Sequence, residues 1–98
     1  MAAYIIATVR VADPVKIGAY AKAVAGIAET FGGEYLVRGR VSEVLEGDLE
    51  AGEVIVVLRF PDAESARAYV NSEGYQAGKA LRIDGGGVVE SRLIVDPA

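Results

Sequence analysis

Tyr4-Ile5-Ile6-Ala7-Thr8-Val9-Arg10-Val11, closed by Ala12-Asp13-Pro14, sets the plan for the rest of the chain. A β-branched run of this length bounded by turn-forming residues predicts a strand. Asp13 before Pro14 predicts a helix start. The carboxylate accepts from orphan first-turn amides, and proline loses nothing where its N–H would have no partner. Ile17, Tyr20, Val24, Ile27, Ala28 and Phe31 then recur at helical spacing until Gly32-Gly33 ends the helix.

Outward from this unit, Tyr35 to Glu46 reads as a second strand with Gly39 as its bulge. Residues 47–52 (Gly-Asp-Leu-Glu-Ala-Gly) form a polar turn into a third strand, Val54 to Phe60. Pro61-Asp62 opens a second helix with Ala66, Tyr69 and Val70 facing inward. Asn71-Ser72 and Gly74 interrupt it before a short helical piece, Tyr75 to Leu81. Asp84-Gly85-Gly86-Gly87 is a turn, and Val88 to Val95 is the fourth strand. The order is β-α-β-β-α-β. Right-handed crossovers then give an α+β, ferredoxin-like domain over residues 1–98: a four-stranded antiparallel sheet with both helices on one face.

Composition narrows the chemistry. The 98 residues allow one domain, which on its own has a small core. Cysteine and histidine are both absent. That excludes disulfides, thiolate nucleophiles, cysteine-ligated metals and histidine-based triads. A net charge of −4 and a pI near 4.7 argue against a nucleic-acid partner. No apolar run approaches membrane-spanning length, so no membrane partner is expected. Met1-Ala2-Ala3-Tyr4 has neither the basic start nor the apolar stretch of a signal peptide, and the expected location is cytoplasmic. The acidic residues show no metal-site spacing, so no metal is assigned. Gly85-Gly86-Gly87 lacks a following lysine and precedes a strand, so it is a turn and not a phosphate loop.

The alternation along the strands separates two sheet faces. Ile5, Ala7, Val9 and Val11, with Val54, Val56, Leu58 and Phe60, form the apolar set that belongs under the helices. The other face carries Tyr4, Ile6, Thr8, Arg10, Ile55, Val57 and Arg59. Ile6, Ile55 and Val57 are too apolar a group for a face left to water, and a second copy of the chain is the simplest cover. Alanine supplies 16 of the apolar residues, and such a core buries little area per residue, which also favours a homodimer.

Arginine outnumbers lysine seven to three, and Arg10, Arg38, Arg40, Arg59 and Arg92 all fall on predicted strands. Two readings stand. They are exposed groups paired with carboxylates such as Glu43 and Glu90, or Arg10, Arg38 and Arg59 project together into a dimer cavity. In the second case a carboxylate must meet them, from Glu90 or from a ligand.

The run Gly32-Gly33-Glu34-Tyr35-Leu36-Val37-Arg38-Gly39, followed by Glu43-Val44-Leu45-Glu46-Gly47, resembles the family catalogued as domain of unknown function 1330. Val57-Leu58-Arg59-Phe60-Pro61-Asp62 and the segment from Ala66-Arg67-Ala68-Tyr69 through Ser72, Tyr75 and Gln76 match its second half. The resemblance spans nearly the whole chain. It implies the dimeric α+β barrel superfamily, whose members include cofactor-independent monooxygenases, isomerases, dehalogenating and decarboxylating enzymes, and haem-handling proteins. It puts Arg38-Gly39 in the strand-two motif, Glu46-Gly47 at that strand's end, and Tyr75 in the Ser-Pro-Glu-Tyr turn. Here that turn reads Ser72-Glu73-Gly74-Tyr75, with glycine in place of the rigidifying proline. Haem-handling relatives use a histidine, and its absence argues against haem.

The ligand-binding candidates are therefore Arg38, Arg10, Arg59, Tyr4 and Tyr75. Tyr20 and Tyr69 sit at core spacing, where packing is the simpler role. Glu46 and Glu90 are the available strand carboxylates, and an arginine neighbour would make either a poor base at neutral pH. These residues suit a small carboxylate ligand, bound or converted without cofactor by arginine electrostatics and tyrosine or glutamate proton transfer. The alternative is a non-catalytic dimeric module, structural or ligand-binding, whose arginines only stabilise the interface or pair internally.

Overall fold

The computed structural model describes residues 1–10, 13–49, 51–84 and 86–96. Val11 and Ala12 at the end of the first expected strand, and Gly85 of the glycine turn, lie outside these residues, as does the side chain of Ile17.

β1 (Ala3–Arg10) leads into α1 (Pro14–Val24), with Asp13 accepting at Oδ1 from the amides of Val15 and Lys16, and Pro14 at the first helical position. The expected single helix is broken. Gly26 takes φ 79°, and a short α2 (Ile27–Thr30) follows before Gly32 closes it. A left-handed residue is cheap only for glycine, and it turns the chain so that Ala28 enters the core.

β2 runs Glu34–Arg40, six residues short of the expected end. Its partner β3 (Val54–Phe60) begins opposite Arg40, and one further exchange, Val41 with Glu53 and Gly52, ends the pairing. Residues 42–46 thus have no strand to pair with. α3 (Ala63–Val70) is capped by Asp62, whose Oδ1 accepts from the Ser65 amide. α4 (Glu73–Asp84) is longer than the expected helical piece, because Gly74 is accommodated within it. β4 (Val88–Val95) completes the order β2-β3-β1-β4, antiparallel throughout.

The register puts Ala3, Ile5, Ala7 and Val9 across from Phe60, Leu58, Val56 and Val54, as the alternation requires. On that face Ala3, Ile5, Leu58 and Phe60 close a core with Ala28, Ala66 and Tyr69. Phe60 stacks on Tyr69 at 5.5 Å between centroids, and Tyr69 meets Tyr75 edge-on at 5.0 Å. α3 is the helix laid on the central strands, whereas α1 packs chiefly on α4. Gly78 makes that crossing close, since a Cβ there would lie 2.5 Å from Val24 Cγ1. α1 and α4 therefore pack on each other far more than on the sheet beneath them.

Candidate functional site

The space between the α1/α4 layer and the sheet is a cavity of about 540 Å³. Its floor is sheet (Ile5, Ala7, Val9, Val54, Val56 and Leu58) and its roof is α1 with the Ala25-Gly26 break. Polar groups are few: the four tyrosines Tyr20, Tyr35, Tyr69 and Tyr75, together with Arg38, Glu29 and Ser91. A mostly apolar hollow with a few convergent polar groups is the usual form of a small-molecule site.

Arg38 reaches this cavity through a β-bulge at Leu36. Tyr35 pairs with Leu58 and Val37 with Val57, so two steps on β2 match one step on β3. Beyond that point every β2 side chain exchanges faces. Arg38, opposite Val56, joins Tyr35 on the helix-covered side, with its guanidinium carbon 4.2 Å from the Tyr35 ring centroid. The expected bulge at Gly39 is not there; Gly39 pairs regularly with Ile55.

The sequence-predicted residues are thus divided. Arg38 and Tyr75 line the cavity. Tyr4, paired with Arg59, belongs to the opposite, helix-free face, and so does Arg10. Arg38 does not converge with Arg10 and Arg59, because the bulge turns it away from them. Those two pair with carboxylates instead: Arg59 with Glu34 at 3.6 Å, and Arg10 with Glu53 at 3.1 Å and with Glu90. Hydrogen bonding from Arg10 holds the Glu90 carboxyl below its usual range, as expected of a poor base. Glu46 lies in the exposed segment after β2 and is not among the cavity residues. The carboxylate that does line the cavity is Glu29 of α2.

Sequence reasoning passed over Arg82. It is 6% exposed, the one buried charged side chain among the described residues. Its Nη1 donates to the hydroxyls of Tyr20 and Tyr75, each at 3.4 Å, and its guanidinium lies 5.2 Å from the Tyr20 ring. The signal was present as spacing: Tyr75, Gly78 and Arg82 recur at three and four residues, which puts them on one helix face. Burial pushes the Tyr20 phenol up to about 12, with Arg82 pulling the other way. Burial likewise raises Tyr69 and Tyr35. These tyrosines therefore stay protonated at neutral pH. Among the described residues no three carboxylates gather as a metal site, and no helix is long and apolar enough to cross a membrane.

The sequence profile described as "Domain of unknown function (DUF1330)" matches residues 2–95. The chain belongs to the DUF1330 family. No curated protein matches it. Among solved structures, this DUF1330 chain is similar to RPA0582, a protein of unknown function from Rhodopseudomonas palustris, at 20% identity and TM-score 0.75, covering 99% of this chain and 82% of that one. It is also similar to SnoaB, a cofactor-independent oxygenase from Streptomyces nogalater, at 10% identity and TM-score 0.68, covering 99% and 94%. A dimeric ferredoxin-like protein of unknown function from Jannaschia gives 14% identity and TM-score 0.66, covering 94% and 98%. At such identities the likeness is one of fold: the DUF1330 chain has a ferredoxin-like architecture.

Proposed function

We propose that this chain is a homodimeric binding protein for a small organic acid, held between the α1/α4 layer and the sheet with its carboxylate on Arg38. The observation that carries the reading is the apolar cavity with an arginine turned into it by a bulge. A guanidinium has the planar fork that meets a carboxylate in two hydrogen bonds, and stacking on Tyr35 keeps that fork oriented. Arg10 and Arg59, engaged with glutamates, serve the opposite face. There Ile6, Ile55 and Val57 form an apolar centre that a second copy covers.

Titration calorimetry with aromatic and aliphatic acids tests the binding, comparing wild type with Arg38→Ala. Binding tighter than millimolar that weakens at least tenfold in the variant is expected. No binding by any acid, or binding indifferent to the substitution, overturns the reading.

A second reading, conversion of the bound acid without metal or organic cofactor, is favoured by the tyrosine hydroxyls of the cavity and by the likeness to SnoaB. With neither histidine nor cysteine in the chain, proton transfer falls to tyrosine and Glu29, and charge stabilisation to arginine. Its mark is acid consumption that survives a chelator and is lost in Arg38→Ala. Mass spectrometry showing every acid recovered unchanged removes it.

A further inference from the structure

Arg82 has no carboxylate partner among the described residues, and its Nε is buried without a hydrogen-bond acceptor. A buried guanidinium in this condition is costly, and a methionine would fill the same space without the penalty. What Arg82 does instead is act on two hydroxyls. Tyr20 and Tyr75 each accept from its Nη1 through an oxygen lone pair, which leaves both phenolic hydrogens directed elsewhere. At most one of them is used by the other tyrosine. The remaining O–H, on a side chain that lines the cavity, is available to donate to a group placed there.

We infer that the Tyr20–Tyr75 pair, backed by Arg82, is an oxyanion site that receives the phenolate or enolate oxygen of a cavity ligand, with Arg82 as its positioning residue. The inference rests on the cavity being an acid site and narrows the ligand to a hydroxy-aromatic or enolisable acid, its carboxylate on Arg38 and its second oxygen on the tyrosines. A carboxylate at the tyrosine pair fits less well, because its two oxygens prefer the open fork of a guanidinium. Neutral O–H donors with a positive charge behind them match one oxygen whose charge is delocalised into a ring or double bond. The edge of Tyr69 against Tyr75 keeps that ring in place, and the high phenol of Tyr20 keeps its proton available for donation. Glu29, which also lines the cavity, opposes an anion placed beside it and so favours the arginine-backed position.

The test uses two probes, 4-nitrophenol and benzoate, on wild type, Arg82→Met, Arg82→Lys, Tyr75→Phe and Arg38→Ala. Absorbance titration is expected to show 4-nitrophenol bound as phenolate at a pH where the free probe is still largely protonated. Arg82→Met should weaken that binding about tenfold and return the bound probe's titration to that of the free probe, while Arg82→Lys restores part of both. Tyr75→Phe gives the same direction and keeps the test available if circular dichroism shows Arg82→Met unfolded. Benzoate should depend on Arg38 and be unmoved by Arg82→Lys. Phenolate binding unchanged in both Arg82→Met and Tyr75→Phe, with benzoate still dependent on Arg38, overturns the oxyanion site and leaves the acid site standing. Failure of both probes to bind overturns both.

Discussion

The guanidinium carbon of Arg38 lies 4.2 Å above the ring of Tyr35, a residue three positions back on the same strand. In a regular strand residues at that separation face opposite sides of the sheet. The extra residue Leu36 puts them on one side and gives the cavity its cation. Because the ring orients the guanidinium, Tyr35→Leu should reduce benzoate affinity about two- to fivefold while the fold stays intact, in line with the size of a cation–π contact. Calorimetry showing wild-type affinity in this variant would mean that the stack does not position Arg38.

Sedimentation at micromolar concentration should give a particle of twice the 10.2 kDa chain mass. Ile55 and Val57 face the side of the sheet without helices, and Ile55→Asp should yield either monomer or unfolded chain. A 10 kDa species for wild type removes the dimer.

Gly78→Ala should destabilise the fold by about 1–3 kcal/mol in denaturant unfolding, since the added methyl runs into Val24. Gly18→Ala, in α1 with open space around the new Cβ, should instead stabilise by about 0.5–1 kcal/mol. Equal effects at the two sites would mean that the α1–α4 crossing is not tight.

Among the described residues three carboxyls sit below their ordinary values: Asp62 through the Ser65 amide, Asp84 through Lys16 and Glu90 through Arg10. Depressed folded values stabilise the fold above the unfolded pKa and lose that contribution as protons bind. Unfolding midpoints should hold near neutrality and fall as pH drops below the ordinary values of 3.8 for aspartate and 4.5 for glutamate, continuing through the lower folded values. Lys16, raised by hydrogen bonding to Asp84, gives the opposite sign: its contribution is complete below 10.5 and is lost as pH rises through the higher folded value. All of these groups are exposed, so added salt should flatten both limbs. A midpoint that rises on acidification contradicts the sign.

The topology and the helix-facing strand residues were legible in the sequence because alternation and capping are local signals, as Ile5 against Leu58 and Asp13 ahead of Pro14 illustrate. The site was less so. A bulge shifts parity without changing composition, so nothing in the sequence separated Arg38 from Arg10 and Arg59, which one reading placed together, whereas Leu36 turns Arg38 to the other face. Arg82 went unnoticed for the converse reason. A charged residue near a helix end reads as solvated, and only the meeting of α1 with α4 encloses it between Tyr20 and Tyr75.

That α1 rests on α4 more than on the sheet gives the molecule two levels of local stability. Lifting the helix pair exposes less packed surface than parting the strands, because part of what lies beneath it is unfilled volume. Amide hydrogens of residues 14–24 and 73–84 should therefore take up deuterium well before those of Ala3–Arg10 and Val54–Phe60. The sheet wall of the cavity and its helical roof should therefore open as separate cooperative units. A ligand that touches both welds them, and its binding slows exchange in the two helices as well as in the strands.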